Sequence, residues 1–262
     1  MKLRFWKMTA AGNDFVLVVA PRSRNLPRLA RRLCDRRAGV GADGLLAVRR
    51  ASGGVRLRYL NSDGSYAFCG NGARCAAWWA FCRGWSGRRM RLCTKRGEFA
   101  ARVTGRERVA LSLPDPRRLR MGLRVRALSR TFVAHGLDIG VPHAVIAVPG
   151  LAAFPVAAYG RAIRRHRSFG PGGTNVDFVS REGPGLRLRT YERGVEDETW
   201  ACGTGAAAAA VAGWRLGWVR PPVRVRVLGG SLTVYFQVEG EEPREVQIEG
   251  PARAVFQGEV EL

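Results

Sequence analysis

The sequence predicts an α/β protein of two similar domains with a cleft between them. Three observations carry that prediction. Runs such as FVLVV (15–19), VRLRYL (55–60) and VRVRV (223–227) alternate or run apolar with β-branched residues and are bounded by Gly, Pro and Asn, the pattern of strands. Two segments, 73–83 and 206–216, are apolar around the whole circumference of a helix, the pattern of buried helices. Each opens on the same tetrapeptide shape, Cys69-Gly70-Asn71-Gly72 and Cys202-Gly203-Thr204-Gly205, an internal repeat.

Along the chain, the amino-terminal stretch has charges interrupting its apolar residues and reads as no signal peptide. The strand at 15–19 follows Gly12-Asn13-Asp14, and a surface helix is predicted over 26–37. The strand at 55–60 leads to the first C-G-x-G helix. Two prolines and an aspartate in LSLPDPRRL end a strand-like run and mark the boundary, giving domains of 1–114 and 115–250. In the second half, Thr174-Asn175-Val176-Asp177-Phe178-Val179 echoes Gly12-Asn13-Asp14-Phe15-Val16, and each precedes its C-G-x-G. The second buried helix and the strand at 223–227 follow.

At 262 residues the chain is long enough for one large domain or two of about 130 residues, each able to bury a core. Six cysteines form no CxxC pair and only three histidines occur, which argues against structural zinc and gives no disulfide pattern. No segment approaches the ~18–20 apolar residues of a membrane helix, so a cytoplasmic protein without a membrane partner is expected. The net charge of +23 suggests a polyanion partner such as nucleic acid. Its distribution argues against one: the arginines are scattered, the densest cluster, RAIRRHR at 161–167, is short, and no aromatic stacking platform accompanies them.

A cysteine at a helix start lies beside unpaired backbone N–H groups and the positive end of the macrodipole, both of which favour the thiolate. The glycines beside it let a carboxylate approach the same N–H groups. Two such helix starts facing each other would hold an α-carboxylate and place one sulfur on each face of the α-carbon. One thiolate would remove the α-proton while the other thiol delivers a proton to the opposite face, without a cofactor or metal. Cys75 and Cys82 are expected to pack in the core, and Cys34 and Cys93 to be core or surface thiols.

Six stretches carry a resemblance over almost the full length: KMTAAGNDFVLV, RLCDRRAGVGADGLL (32–46), NSDGSYAFCGNGARC (61–75), FGPGGTNVDFV (169–179), TYERGVEDETWACGTGAAAAA (190–210) and LGGSLTV (228–234). On them the chain resembles the diaminopimelate epimerases, which invert one centre of LL-diaminopimelate to give the meso form for lysine and cell-wall synthesis. The resemblance implies two pseudo-symmetric domains, each a curved, mostly antiparallel sheet wrapped around a central helix, with a C-terminal strand (251–262) returning to the first. It implies Cys69 and Cys202 as the catalytic pair, with Gly70, Asn71, Gly203 and Thr204 holding the reacting carboxylate through backbone N–H groups. Asn13, Asn61, Asn175 and Arg193 would hold the substrate, largely its distal end, and Glu192 and His143 would modulate the thiols, Glu192 also bordering the substrate. No cofactor and a homodimer are implied.

Three positions depart from the family pattern. Val141 stands in Gly140-Val141-Pro142-His143 where many members carry Asn, which removes one distal contact. VEDETW after Arg193 is one residue longer than the commoner form, and position 44 is Gly rather than the Gln of some members. Two other readings compete with diaminopimelate epimerisation: a cofactor-independent racemase for another amino acid, and a basic nucleic-acid-binding module.

Overall fold

The computed structural model describes residues 2–20 and 25–261. Its contacts divide the chain into two units, Met1–Leu111 with Gly250–Leu262, and Ser112–Glu249.

The first unit contains β1 (Lys2–Ala10), β2 (Asn13–Val19), α1 (Leu26–Cys34), β3 (Gly44–Ala51), β4 (Gly54–Asn61), β5 (Tyr66–Ala67), α2 (Gly70–Cys82), β6 (Arg89–Thr94), β7 (Gly97–Gly105) and β8 (Arg108–Ser112). The second contains β9 (Arg117–Ala127), β10 (Arg130–Asp138), β11 (Pro142–Ala147), α3 (Val156–Arg164), β12 (Asn175–Glu182), β13 (Gly185–Glu192), β14 (Asp197–Thr199), α4 (Gly203–Arg215), β15 (Val223–Val227), β16 (Gly230–Glu239) and β17 (Glu242–Pro251). The last strand, β18 (Arg253–Glu261), pairs antiparallel with β1 and so belongs to the first unit.

The two units repeat one pairing scheme. In the first, β1–β2 is antiparallel, β2–β3 parallel, β3–β4 antiparallel, β4–β6 parallel and β6–β7 antiparallel. In the second, β10–β11, β11–β12, β12–β13, β13–β15 and β15–β16 follow the same sequence of senses. Each unit is therefore a mostly antiparallel sheet with two parallel pairs, one spanned by a surface helix and the other by a buried one.

Small side chains put the second helix of each unit inside. Ala73, Ala76, Ala77 and Ala80 of α2 are fully buried, as are Ala206, Ala207 and Ala208 of α4. Alanine adds little bulk and no polar atoms, so strands close on all sides: α2 packs against β1, β2, β3, β4, β6, β7 and β18. The parallel pairs β2–β3 and β11–β12 are buried on both faces along most of their length, which is why 15–18 reads as a continuous apolar run. Val16, Val18 and Leu45 pack on Leu29 and Leu33 of α1, whereas Phe15 and Leu46 lie beside Gly72 of α2.

Several expectations need correction. α1 ends at Cys34, not Arg37, because the Asp35 side chain accepts the Arg37 and Ala38 N–H groups at 2.7 Å and turns the chain. Both buried helices begin one turn earlier than the apolar pattern, directly after the cysteine. Helix α3 was visible only as the basic cluster at 161–167; Gly160 weakens its helical signal. That glycine is needed, since a Cβ there would lie 2.4 Å from Tyr191 Cβ. Cys75 is buried as expected, but Cys82, on the last residue of α2, is exposed.

The echo between GNDFV and TNVDFV is not a match of equivalent strands. The first opens β2 and the second opens β12, which by pairing order corresponds to β3. The register gives the true correspondence. Phe15 opposite Gly44 matches His143 opposite Asn175, so Asn13 corresponds to Val141 and Leu46 to Asp177. By the antiparallel register of the next pair, Asn61 corresponds to Glu192.

Candidate active site

In each unit the cysteine is the residue that caps the buried helix. Cys69 has extended backbone (φ −135°, ψ 115°), and its Sγ accepts the Gly72 N–H at 3.4 Å. Cys202 repeats this at φ −112°, ψ 112°, with its Sγ accepting the Gly205 N–H at 3.4 Å. Serine, threonine, aspartate and asparagine cap helices in the same way; here sulfur takes the place of oxygen, which holds the thiol at the positive helix end. Gly70 with Asn71, and Gly203 with Thr204, form the first turns, whose N–H groups have no acceptor within the helix.

In the first unit the structure joins Asn13 to Asn71. A two-residue turn with positive φ at Ala11 (49°) and Gly12 (88°) connects β1 to β2 and delivers Asn13. Asn71, 3% exposed, donates from Nδ2 to Asn13 Oδ1 at 2.6 Å, and Asn13 Nδ2 donates to Asp43 Oδ2 at 2.9 Å. The Asn71 side chain is thus engaged inside the unit. Asn61 ends β4 and donates to Ser65 Oγ at 3.0 Å.

Asp14, next to Asn13, receives Lys7 Nζ at 2.6 Å and Arg36 at 2.8 and 3.1 Å; Lys7 also donates to the Gly41 carbonyl. Burial opposes its ionisation, but the bonds from Arg36 and Lys7 outweigh burial and hold the carboxyl at about 2. A carboxyl depressed in the folded state stabilises it above the unfolded value and loses that contribution as pH falls through both. About 2 kcal/mol should therefore disappear between pH 4 and pH 2. Asp14→Asn should flatten the acid-stability curve over that window, read as urea unfolding free energy against pH.

In the second unit the structure brings Cys202, His143, Glu192, Asn175 and Arg193 into one neighbourhood. His143 and Asp177 side chains are 0% exposed, with His143 Nδ1 2.7 Å from Asp177 Oδ2. Thr190 Oγ1 donates to Asp177 Oδ1 at 2.8 Å. Asn175 Nδ2 donates to the Pro142 carbonyl at 3.2 Å and lies 3.5 Å from His143 Nε2, while Asn175 Oδ1 accepts the Arg193 N–H at 2.8 Å. The Arg193 guanidinium donates to the carbonyls of Gly172 and Gly173. The longer loop after Arg193 is held by Arg164, which donates to Glu196 at 2.7 Å, and by the Tyr191 hydroxyl on the Glu196 carbonyl.

Asp177, whose carboxylate lies against Gly205 and raises the Cys202 thiol, has no role in the motif reading. An aspartate inside an otherwise apolar strand run is the signal that finds it, since a buried carboxylate must have partners. A Cβ on Gly205 would lie 2.4 Å from Asp177 Oδ1 and 3.1 Å from Thr190 Oγ1. Gly205→Ala should therefore lower the melting temperature markedly. Gly72→Ala, whose Cβ meets the flexible Leu46 Cδ2 at 2.7 Å, should cost less; thermal melts of the two variants compare them directly.

The electrostatics correct one expectation. The helix start does not lower the Cys202 thiol: burial, then the Glu192 and Asp177 carboxylates, push it well above its ordinary value and outweigh the Thr204 and Gly205 bonds. Glu192 is itself raised by burial. Burial also pushes Cys34 up to about 12 and raises Cys75, which disfavours the thiolate at both. Val141 occupies the site matching Asn13 and supplies no side-chain hydrogen bond.

The sequence model described as diaminopimelate epimerase matches residues 5–117 and 136–255. The chain is 41% identical over 266 residues to the diaminopimelate epimerase of Chlorobaculum tepidum, covering 97% of this chain and all of that protein. It is 37% identical to that of Aquifex aeolicus, covering 98% and 97%. Among solved structures, a phenazine biosynthesis protein of the PhzF family from Bacillus anthracis superposes with TM-score 0.76 at 14% identity over the whole of both chains. A hydroxyproline epimerase from Agrobacterium vitis gives 0.70 at 16% identity, over 99% of this chain and 91% of that one. These two likenesses show a shared fold.

Proposed function

The chain belongs to the diaminopimelate epimerase family, and from that premise we propose a two-thiol reaction in which Cys69 and Cys202 invert the α-carbon of the substrate. The enzyme is an isomerase that converts LL-diaminopimelate to meso-diaminopimelate, a step toward lysine and peptidoglycan precursors.

The observation that carries the mechanism is the duplicated cap. Each thiol sits on the first turn of a buried helix with one N–H already on sulfur at 3.4 Å. One thiolate takes the α-proton; the other thiol delivers a proton from the opposite face. The electron pair left on the α-carbon spreads into the carboxylate, where the first-turn N–H groups of Gly70, Asn71, Gly203 and Thr204 and the two helix dipoles favour the added negative charge. Rigid mounting matters here, because proton transfer requires the donor and acceptor atoms within hydrogen-bond reach.

Asn13, Asn61, Asn175 and Arg193 are proposed to hold the distal amino-acid head: amide oxygens suit its ammonium and the guanidinium its carboxylate. His143 and Glu192 are proposed to set the proton affinity of Cys202, which Glu192 already raises. No helix among the described residues is long and apolar enough to cross a membrane. All six cysteines are free, which fits a reducing cytoplasm; the homodimer is proposed from the family resemblance.

Incubation of LL-diaminopimelate with the purified protein under reducing conditions, followed by chiral chromatography, tests the substrate. Meso product without added cofactor is expected. Inversion of proline or histidine with no action on diaminopimelate would move the reaction to another amino acid.

A further inference from the structure

Arg164, the last residue of α3, fastens two loops at once. Its Nε donates to Glu196 Oε1 at 2.7 Å, and its Nη1 donates to the Gly172 carbonyl at 3.2 Å. Its own carbonyl accepts the Thr174 N–H at 3.0 Å. Gly173, at φ 65°, passes so close to the helix end that a Cβ there would collide with the Arg164 carbonyl oxygen and Nη1.

Arg193 is strung between these same two loops. On its backbone side, Glu196 Oε1 also accepts the Gly194 N–H at 3.2 Å, the first N–H after Arg193. The Glu196 N–H closes that turn on the Glu192 carbonyl at 2.8 Å. On its side-chain side, Arg193 Nη1 donates to the Gly172 carbonyl at 3.3 Å, the oxygen that Arg164 also holds, and to that of Gly173 at 3.5 Å. Among the described residues Nη1 is the engaged nitrogen of this guanidinium, so Nη2 and Nε keep N–H groups for a carboxylate.

Glu196 lies at φ 60°, in the left-handed region where a long side chain is unfavourable and glycine or asparagine is better suited. A glutamate there needs a reason, and its carboxylate supplies one as the bridge between Arg164 and Gly194. Burial opposes its ionisation, but the Gly194 N–H and Arg164 outweigh burial and hold the carboxyl below its ordinary value. With side-chain exposures of 13% and 38%, the Arg164–Glu196 pair adds little to global stability. What it does is geometric: it ties the loop after Arg193, the one lengthened in this chain, to the helix end that also carries 172–174.

We propose that Arg164 and Glu196 are a positioning pair for Arg193, fixing both ends of its side chain so that the guanidinium meets the carboxylate at the distal end of the substrate. Neither residue touches the substrate; both act through Arg193. The assignment rests on the proposed role of Arg193 in holding that distal head.

Steady-state kinetics on LL-diaminopimelate and peptide-resolved hydrogen exchange without substrate test the two halves of the proposal. Arg164→Gln should raise KM about tenfold and change kcat by less than about twofold, the mark of lost uniform binding. It should also speed exchange in both segments, 170–175 and 193–197. Glu196→Asn suits the left-handed backbone but withdraws the carboxylate; it should raise KM about threefold and speed exchange in 193–197 alone. It carries the test where Arg164→Gln fails to fold. Arg164→Lys, which keeps a cation for Glu196, should recover part of the wild-type KM. An unchanged KM, a loss confined to kcat, or exchange in both segments equal to wild type would each overturn the proposal. A wild-type protein that does not convert LL-diaminopimelate would overturn the substrate reading instead, and the exchange comparison would still decide whether Arg164 holds the two loops.

Discussion

Cys69→Ala and Cys202→Ala should each lower turnover of LL-diaminopimelate by about 10²- to 10⁴-fold, the contribution of a positioned acid or base to a proton-transfer step. The double variant should be hardly slower than either single one, because inversion needs both groups in one reaction coordinate and removing either disables the unit. Neither replacement should unfold the protein. Cys69 is half-exposed and Cys202, though buried, gives up only the weak N–H···S bond from Gly205 and a 3.5 Å contact with the Thr204 hydroxyl. Chiral chromatography of the product and a thermal melt of each variant measure the two effects together. A single variant that keeps more than a tenth of wild-type turnover would remove that cysteine from the chemistry.

Asp177→Ala should lower stability by about 3–5 kcal/mol, because it strips the partner from a fully buried histidine and a buried hydroxyl at once. For a chain of this size that corresponds to a fall in melting temperature on the order of 10 °C. Asp177→Asn, which keeps the volume and one acceptor, should fall between the two. Both variants remove a negative charge that raises the Cys202 thiol, so Cys202 should alkylate faster at neutral pH than in the wild-type protein. A melt within a degree or two of wild type would mean that the His143–Asp177–Thr190 cluster contributes little to holding the strands beneath α4.

The sequence displayed the site more fully than the frame around it. The repeated C-G-x-G was legible because a glycine-rich first turn behind a cysteine has few structural uses, and its recurrence on two all-apolar helices made one of them explain the other. Helix α3 escaped because its glycine, required by the close approach of Tyr191, looks locally like a break. The pairing of GNDFV with TNVDFV misled for a related reason. Both motifs open strands buried on two faces, and local composition does not record which neighbour a strand takes. Only the register shows that Phe15 answers to His143, and Leu46 to Asp177.

That correspondence exposes what motif reading could not weigh. The two caps share extended backbone and the same 3.4 Å bond, yet the helices behind them differ: α2 buries a guanidinium at Arg74 where α4 buries the alanine Ala207, and Glu192 and Asp177 raise Cys202. Burial of Cys202, a tertiary property, reversed the expectation drawn from its helix end alone.

The central claim is that one thiol takes a proton from the α-carbon and a different thiol, exchangeable with solvent, returns one to the opposite face. Incubation of LL-diaminopimelate with the enzyme in deuterated water measures this most directly. The two-thiol account predicts that the first meso-diaminopimelate formed carries one deuterium at the inverted centre, while the unreacted LL form stays protonated early in the reaction. Meso product that retains its original α-hydrogen at that centre would contradict it.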